Sequence, residues 1–490
     1  MIRRVICAAF FLAAATIARA ETLRIGIGPL PPAIGNPYSG VGLPPGDLWA
    51  NIYDGLTRLD ERGVLNPALA LSWQAETPTR WVFKLRPGVT FHDGAPFTAA
   101  DVVATIAALR GPLLGTLVAA ETRDFKDVTS RDPLTVVIET VKPDAVLPLR
   151  MNMIAIQSAA QIGKEAAARA PNGTGPYAVT AQGAGRVTLT AAKSWRPGRV
   201  ERIEVTSIPI AAARVQALES GQVDLVQNVS ADDVTGLRAG GFAVVISPQA
   251  QVLSIALPAL AKGPLQDVRV RRALNLAVDR AAIAAGIFQG TVAAASQGAT
   301  PGVNGFDPSL QPFPHDPEAA KRLLKEAGYG DGFPLALYLV EGAGAGTDLA
   351  FQKAAQDLAR IGVRVEVRSL PIGEYTRRYV GATWNGTEAF SMLWNSTPFN
   401  DTARALETFS CLRPAPFFCD PAAADLLAAS AREMDPVKRT AALRATMARM
   451  QELAPAIWLT TGAVITAMTN QVQGYVLRPA GSAYEAITLN

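Results

Sequence analysis

The sequence predicts an α/β fold built as two lobes. Short apolar strands alternate with amphipathic helices in both halves of the chain, which is the pattern of strand-helix-strand units. The 490 residues are enough for two or three domains of about 100 to 200 residues each. Strand-like segments begin and end the mature chain around a separate α/β region, so we expect the C-terminus to rejoin the first lobe.

Residues 1–20 have the features of a cleavable export signal. An apolar stretch from Val5 to Ile17 follows two arginines and is followed by Ala18-Arg19-Ala20, which has the small-x-small form of a cleavage site. The stretch is shorter than the ~20 residues needed to span a bilayer. Cys7 lies inside it, so it is not placed as the cysteine of a lipoprotein. We expect a mature protein that begins near Glu21 and diffuses freely in the periplasm.

The charge balance of the mature chain is close to neutral. The whole sequence has 46 basic and 42 acidic residues. The predicted signal contains Arg3, Arg4 and Arg19 and no acidic residue, which leaves 43 basic against 42 acidic residues. This balance gives no electrostatic reason to expect nucleic acid as a partner.

Two cysteines remain after removal of the signal. Cys411 and Cys419 lie eight positions apart in CLRPAPFFC, and export leads to an oxidising compartment, so we expect them to pair. The alternative is a zinc site. Two cysteines with the distant His92 and His315 make a poor tetrahedral ligand set, so we expect no metal.

The elements of the first half follow from local patterns. TLRIGIG is a predicted strand that ends at a loop rich in proline and glycine. WVFKLRPGVTF is a strand followed by a Pro-Gly turn. In TAADVVATIAALR, Thr98 and Asp101 have capping-box spacing before an apolar stripe, which predicts a helix. Further strands are predicted at 134–139, 186–190, 202–208 and 243–247, with a helix before the last.

The second half repeats the alternation. From Asp267 the sequence DVRVRRALNLAVDRAAIAAGI has a helical apolar face, and Asp316 is placed to cap a helix that runs to Ala327. LALYLV, a helix around 352–361 and VRVEVRS continue the pattern. Near the C-terminus, AIWLTTGAVITAM reads as returning strands.

The residue inventory argues against an enzyme. The sequence has no G-x-S-x-G, H-E-x-x-H or G-x-x-x-x-G-K motif. Gly342-Ala-Gly-Ala-Gly346 departs from the spacing of a nucleotide loop. His92 lies in a polar turn between a strand and a capped helix, without a neighbouring nucleophile in the pattern. We expect no catalytic residues and no cofactor.

Six segments, read in chain order, resemble one known family. They are NIYDGLTRLDERGVLNPALALSW, WVFKLRPGVTFHDGAPFTAADVV, NGTGPYAV, ALESGQVDLV, DVRVRRALNLAVDR and DPEAAKRLLKEAGYGDGF. Together they resemble extracellular solute-binding protein family five, the peptide, nickel and opine type of ABC importer receptor, from about Thr22 to the C-terminus. Most of these motifs have structural explanations as turns, caps and helix starts. They therefore indicate the family without indicating the ligand.

The resemblance implies a type II periplasmic binding protein fold of the large class, with an extra subdomain in lobe I. We expect lobe I to comprise residues 21–253 and 461–490, with the inserted subdomain at about 52–171, and lobe II to comprise 254–460. The implied function is capture of a small organic solute by hinge closure and delivery to an inner-membrane permease and ATPase. A monomer is expected. A periplasmic chaperone or ligand sensor on the same scaffold is the alternative.

Ligand contacts in the family come largely from lobe II, around a tryptophan followed by an acidic residue that receives a peptide's amino group. Trp394 matches the tryptophan, and the neighbouring Asn395 is included as a candidate. The position of the acid is taken by Thr397, and the nearest acidic residue is Asp401. A buried ammonium needs a paired charge, so this difference disfavours a dipeptide.

Four further residues complete the predicted site. Where dipeptide binders of the family have a carboxylate-binding arginine, this sequence has Glu341, which suits an amine, a guanidinium or sugar hydroxyls. Asn36 and Tyr38 follow the first strand and are placed to reach the cleft from lobe I. Trp384 offers a flat apolar wall. We prefer an opine, modified amino acid or sugar conjugate over an oligopeptide. Nickel is disfavoured, because only two histidines and few sulfur ligands are available to coordinate it directly.

Overall fold

The computed structural model describes residues 22–31, 33–39, 45–111, 118–164, 169–341 and 346–490. The predicted export signal at 1–20 lies outside these residues. Among the residues that are described, no helix has the length and apolarity needed to cross a membrane.

Strands and helices alternate through both halves of the chain. The strands are β1 (Thr22–Ile27), β2 (Thr57–Leu59), β3 (Leu65–Pro67), β4 (Ala70–Thr77), β5 (Arg80–Leu85), β6 (Phe125–Asp132), β7 (Thr135–Thr140), β8 (Tyr177–Gly183), β9 (Arg186–Ala191), β10 (Arg202–Ser207), β11 (Leu225–Gln227), β12 (Ala243–Ala256), β13 (Pro334–Val340), β14 (Arg364–Leu370), β15 (Glu388–Asn395), β16 (Ala456–Met468), β17 (Val472–Gln473), β18 (Leu477–Arg478), β19 (Gly481–Ser482) and β20 (Thr488–Leu489). The helices are α1 (Pro45–Ile52), α2 (Ala99–Leu109), α3 (Leu147–Met153), α4 (Ala211–Glu219), α5 (Val234–Ala239), α6 (Val268–Ala277), α7 (Arg280–Ala282), α8 (Pro317–Glu326), α9 (Thr347–Ala359), α10 (Ile372–Gly381), α11 (Ala403–Thr408), α12 (Pro421–Arg432) and α13 (Pro436–Leu453).

One ten-stranded sheet runs through both lobes, in the order β14-β13-β15-β12-β16-β11-β1-β10-β9-β8. The long antiparallel strands β12 and β16 belong to both lobes, because their two halves pair with different neighbours. Residues 251–256 of β12 pair with β15 in lobe II, and residues 466–468 of β16 pair with β11 in lobe I. The pairing of β12 with β16 is irregular between Gln249 and Val252. The predicted lobe boundaries after residues 253 and 460 lie close to this irregularity.

The sheet is covered on both faces because buried residues alternate along its strands. In β13, Leu335, Leu337 and Leu339 pack into one apolar cluster of lobe II, whereas Tyr338 packs into a second cluster on the other face. In β11 of lobe I, Leu225 packs into one apolar cluster and the next residue, Val226, packs into another on the opposite face. Each lobe therefore has the layered α/β construction that the sequence predicts.

A four-stranded antiparallel sheet, in the order β4-β5-β7-β6, forms a separate subdomain. Its apolar face packs with α2 and α3 around residues such as Phe83, Ile106 and Met151. The capping box predicted for α2 is confirmed, since the Thr98 N–H donates to the Asp101 carboxylate at 2.9 Å. These elements lie within the predicted insertion at about 52–171.

The helix predicted from Asp267 is interrupted in the structure. It ends at Ala277, because Val278 has extended backbone angles. Asp279 then caps the next turn by accepting the Ala282 N–H at 2.9 Å, while its own N–H donates to the buried Asp357 at 3.1 Å. The apolar periodicity continues through the break, which is why the sequence pattern alone indicated one helix.

Candidate ligand-binding site between the lobes

The carboxyl ends of the parallel strands in the two lobes point toward each other across the crossing strands. In lobe I, β1 is parallel to β10 and β11, and the loop that contains Asn36 and Tyr38 follows β1. In lobe II, β13 is parallel to β14 and β15, and Glu341 and Asn395 lie at their carboxyl ends. Ligands of open α/β sheets bind at this edge. The region between these loops is therefore the candidate site.

The loop after β1 is held by its own hydrogen bonds. The Tyr38 N–H donates to the Asn36 side chain at 3.0 Å, which forms a tight turn. The Tyr38 hydroxyl donates to the carbonyl of Ala155, its ring is 2% exposed, and burial raises the pKa of the phenol. The half-buried Asn36 side chain lies nearer the surface than the Tyr38 ring. Tyr38 thus fastens this loop to the subdomain.

Trp394 lies at the carboxyl end of β15 and is fully buried. Its ring stacks on Phe409 with centroids 4.0 Å apart and meets the edge of Trp458 at 5.5 Å. Gly298 is required beneath it, since a Cβ there would lie 1.9 Å from the indole ring. The indole N–H has no hydrogen-bond partner among the described residues. The ring is therefore a packed wall that leaves one donor unused.

The three residues after Trp394 turn the chain away from the sheet. The Asn395 side chain accepts the Thr397 N–H at 3.0 Å, and the Ser396 N–H donates to the Ala250 carbonyl of β12 at 2.8 Å. The hydroxyls of Ser396 and Thr397 are buried and have no partner among the described residues. Buried polar groups in native structures are almost always hydrogen-bonded. Two hydroxyls and an indole N–H on one short segment therefore mark a place where a ligand would supply the missing partners.

Asp401 is committed to contacts inside lobe II. It is 1% exposed and forms two hydrogen bonds with Arg439, at 2.5 and 2.9 Å. The Asn304 side chain and the Ala403 N–H also donate to the Asp401 carboxylate oxygens, at 2.7 and 2.9 Å. This carboxylate has no unsatisfied position for a ligand ammonium in the arrangement described.

Glu341 and Trp384 occupy different ends of lobe II. Glu341 follows β13 at the cleft edge with an exposed side chain, and residues 342–345 after it lie outside the described residues. Trp384 precedes β15, at the opposite end of the strand from Trp394, and stacks on Phe390 with centroids 4.4 Å apart. The Arg378 guanidinium lies 4.3 Å from the Trp384 ring. The structure therefore brings Glu341, but not Trp384, to the edge that holds Asn395 and Thr397.

The two lobes touch each other beside this edge. The segment after Thr397 reaches the subdomain, where Asn152 donates to the Pro398 carbonyl at 3.0 Å and Asn400 donates to the Gly63 carbonyl at 3.3 Å. On another side, Gln289 of lobe II lies 3.3 Å from the Asp232 carboxylate of lobe I. The lobes are thus in direct contact at two places, an arrangement termed closed below.

An ion-pair cluster supports the contact with the subdomain. Arg150 binds Glu121 at 2.5 Å and Asp144 at 2.9 Å, and Arg404 of lobe II lies 3.5 Å from Glu121. Burial alone would lower the pKa of Arg150, but the two carboxylates outweigh burial and raise it. The Phe399 ring lies between the Arg150 and Arg404 guanidiniums, at 5.8 and 5.9 Å. The continuation of the candidate ligand segment is therefore fastened to the opposite lobe.

The remaining chemistry of the described residues is structural. Cys411 and Cys419 form the predicted disulfide. His92 bonds the backbone of Gly173 and Gly175 through its two ring nitrogens, at 3.3 and 3.0 Å. No group of three or more His, Cys, Asp or Glu side chains within the described ranges is arranged to hold a metal ion.

Comparison with known proteins agrees with this architecture. Residues 64–414 match the family model described as bacterial extracellular solute-binding proteins, family 5 Middle. The chain belongs to this family. It is accordingly a non-enzymatic solute-binding protein of an ABC importer.

Curated relatives match most of the chain. The glutathione-binding protein GsiB of Escherichia coli K12 is 25% identical over 459 residues, which cover 89% of this chain and 88% of the relative. Heme-binding protein A of Haemophilus influenzae is 28% identical over 347 residues, which cover 64% of this chain and 63% of the relative. The relatives that this chain resembles are therefore named for different ligands.

Solved structures share the fold at lower identity. The Helicobacter pylori periplasmic binding protein DppA, in complex with the peptide STSA, has a TM-score of 0.81 at 21% identity and covers 96% of this chain and 98% of its own. AgaA of A. tumefaciens R10, in complex with agropinic acid, has a TM-score of 0.80 at 21% identity, with 96% and 99% covered. The predicted α/β periplasmic binding protein fold is confirmed.

Several residues of the closed arrangement were not predicted from the sequence. Ser396 lies inside the segment that the tryptophan motif marked, so its hydroxyl could have been included among the predicted ligand contacts. Phe399, Asn400 and Arg404 continue the same segment, but their partners in the subdomain are more than 240 residues away. Contacts of this kind depend on the placement of one lobe against the other, which periodicity and spacing do not report.

Proposed function

We propose that this protein is exported to the periplasm with removal of residues 1–20, captures a small organic solute between its lobes, and delivers it to the permease and ATPase of its importer. The facing carboxyl ends of the two sets of strands support capture between the lobes. The observation that carries the proposal is the run of unpartnered buried donors at Trp394, Ser396 and Thr397. Leaving such groups unpaired costs about 1 to 3 kcal/mol each, so a ligand that pairs them stabilises the closed state.

The unpartnered groups define the chemistry of the ligand. An indole N–H can only donate, and a hydroxyl can donate or accept. The ligand therefore presents carbonyl, carboxylate or hydroxyl oxygens to Trp394, Ser396 and Thr397. No acidic side chain replaces the missing aspartate at this segment, because Asp401 is already paired with Arg439. An ammonium is disfavoured at this end of the site.

Glu341 gives the opposite end of the ligand a different partner. It is exposed at the carboxyl end of β13, level with the end of β15, so it faces the same opening as Asn395. A carboxylate there suits an amine, a guanidinium or sugar hydroxyls. Asn36 offers an amide from lobe I. A ligand with oxygens at one end and a donor group at the other matches an opine, a modified amino acid or a sugar conjugate.

The named ligands of the relatives support this class. These relatives and structures are named for glutathione, heme, a peptide and agropinic acid. All are small organic molecules that carry carboxylates. Among them, an opine-like ligand agrees best with the loss of the charged pair expected for a dipeptide, and we prefer it for this chain.

Ligand-driven closure is the proposed mechanism. The pairing irregularity of β12 and β16 at Gln249–Val252 lies where the lobes meet, so rotation there changes the width of the cleft. A ligand that contacts both lobes favours the closed state by its difference in affinity for the two states. Solution scattering is expected to show a smaller radius of gyration when ligand is added.

The ligand can be identified from the native protein. Native mass spectrometry of protein purified from its own host gives the mass of a bound solute, and thermal-shift screening of related compounds gives its class, because a ligand of the folded state raises stability by RT ln(1 + [L]/Kd). A chemical change of the bound compound, or its catalytic consumption, would contradict the proposal.

Thr397→Val tests the site itself. The substitution keeps the shape of the side chain and removes the unpartnered hydroxyl, so we expect affinity for the identified ligand to fall roughly 5- to 100-fold, the loss of one buried hydrogen bond. Calorimetric titration measures the change. Thr376→Val, at an exposed position of α10, is the matched control and is expected to leave affinity unchanged. Equal affinity of wild-type protein and Thr397→Val would refute the assignment.

A further inference from the structure

We infer that a second cavity between the lobes binds a small organic anion, carboxylate or phosphate, and thereby favours the closed state. The cavity has a volume of about 500 Å³, within the ~300 to 1,000 Å³ range of small-molecule sites. Its walls come from both lobes. Lobe I supplies the turn between β2 and β3 and one residue of α3, and lobe II supplies residues 302–304, 306, 308 and 399–401 and two arginines of α13.

This cavity is separate from the candidate ligand site. None of Trp394, Asn395, Ser396 or Thr397 is among the residues that line it. Asn400 and Gly63, which form one of the interlobe hydrogen bonds, are both part of its lining. An occupant of this cavity therefore does not compete for the donors assigned to the transported solute.

The charge of the lining is positive. Arg62, Arg439 and Arg444 line the cavity together with one acidic residue, Asp401. Asp401 and Arg439 neutralise each other through two hydrogen bonds, and the Asp401 carboxylate accepts two more from Asn304 and Ala403. The guanidiniums of Arg62 and Arg444, one from each lobe, form no ion pair within 4 Å among the described residues, although Asp60 and Asp307 are near enough to interact with them electrostatically.

Donors remain available at the cavity. Arg444 uses Nε to bind the Phe306 carbonyl at 3.0 Å, and its terminal nitrogens have no acceptor among the described residues. The Arg62 guanidinium also has no hydrogen-bond acceptor among the described residues. Arg439 is 6% exposed, and its Nε–H is buried without an acceptor in the described part of the chain. Guanidinium groups bind carboxylate and phosphate oxygens through charge-assisted hydrogen bonds.

Closure of the lobes couples these charges. Arg62 moves with the subdomain and Arg444 with lobe II, so both flank the cavity only in the closed arrangement. An anion between the two guanidiniums contacts both lobes at once, so it binds the closed state more tightly than the open one.

The apolar part of the lining narrows the class of anion. Val64, Leu149, Phe306 and Phe399 contribute to the walls. Inorganic phosphate has no apolar group to cover these side chains, whereas a carboxylate with an aliphatic or aromatic portion buries their apolar surface. The preferred occupant is therefore an organic anion that carries an apolar group.

Calorimetric titration of the mature protein with octanoate, citrate and inorganic phosphate, at constant ionic strength, tests the inference. Saturable binding is expected, with octanoate tightest. Arg62→Gln and Arg444→Gln are each expected to weaken binding about ten-fold, the effect of one charge-assisted hydrogen bond. Arg186→Gln in lobe I and Arg322→Gln in lobe II remove exposed arginines outside the cavity and are expected to have no effect.

Two further measurements separate this site from the transported ligand. Thr397→Val is expected to bind the anion as the wild-type protein does, and the anion is expected to compact the wild-type protein in solution scattering but not the Arg62→Gln/Arg444→Gln double variant. No saturable binding of any of the three anions, or equal weakening in the control variants, would overturn the inference. Neither result would affect the assignment of Trp394, Ser396 and Thr397.

Discussion

Asp47 of lobe I is a buried carboxylate that forms no ion pair with the described residues. It is 0% exposed and accepts the Ser482 N–H through one oxygen at 2.6 Å, while the other oxygen has no partner among the described residues. Gln227 and the hydroxyls of Tyr475 and Tyr484 surround it. Burial raises its pKa above the ordinary value of 3.8, and the hydrogen bonds only partly oppose this shift.

Asp47→Asn is expected to change how stability depends on pH. Because the folded pKa is raised, the native state binds more protons than the unfolded state between pH 3.8 and the folded pKa. The contribution of Asp47 to the free energy of unfolding is therefore fully present below pH 3.8 and is lost as the pH rises through the folded pKa. Denaturant unfolding of both proteins across this range measures the difference. A constant difference between Asp47→Asn and wild type at every pH would contradict the expectation.

At the residue scale, the sequence singled out a candidate ligand segment but not the partners of its residues. The tryptophan motif led to Trp394 and Thr397 and showed that the usual aspartate is missing. It could not show that Asp401 is held by Arg439, because that pair is 38 residues apart and depends on how α13 packs. Trp384 has the composition of a stacking wall, yet its ring is used within lobe II by Phe390.

At the scale of elements, local chemistry fixed the structures that were predicted well. Asp316 accepts the Ala319 N–H at 2.8 Å and begins α8 at Pro317, as the sequence indicated. The break at Val278 escaped prediction because its cause, the acceptance of the Asp279 N–H by Asp357, comes from another helix. β12 extends far beyond the predicted 243–247 because its second half pairs with β15 as well as β16. Long-range pairing set its length.

Removal of the disulfide is expected to lower stability without changing the fold. Cys411 and Cys419 close a loop of eight residues after α11, and the chain-entropy model gives about 2.5 kcal/mol for a loop of this size. The Cys411→Ser/Cys419→Ser double variant should therefore unfold at lower denaturant concentration. A reducing agent should destabilise the wild-type protein by a similar amount and leave the double variant unaffected. An unchanged unfolding midpoint in both comparisons would contradict this role.

At the scale of the whole molecule, contacts between the subdomain and lobe II join the two lobes. The Phe399 ring, the Asn152 hydrogen bond and the Arg404–Glu121 pair all join the lobes at one place. The alternation of strands and helices predicted α/β structure in both halves of the chain, and the family resemblance predicted an insertion at about 52–171. The contact between the lobes could not be predicted, since it depends on two surfaces that are distant in sequence and meet only after each lobe has folded.

Arg404→Gln is expected to weaken ligand binding by destabilising closure. Arg404 lies 3.5 Å from the buried Glu121 and does not line the second cavity. Loss of this partly buried pair costs roughly 1 kcal/mol, so the ligand Kd should rise about five-fold, with a larger radius of gyration at subsaturating ligand. Arg322→Gln is the control. An unchanged Kd together with unchanged scattering would show that the pair does not contribute to closure.

The position of β16 has a consequence for how the protein reaches its final state. This strand lies between β11 and β12 in lobe I and also borders β12 in lobe II, yet it ends at Met468, close to the end of the polypeptide. β11 and β12 therefore each keep an unpaired edge until residues 456–468 join the sheet. Completion of the sheet in one lobe is thereby tied to its completion in the other.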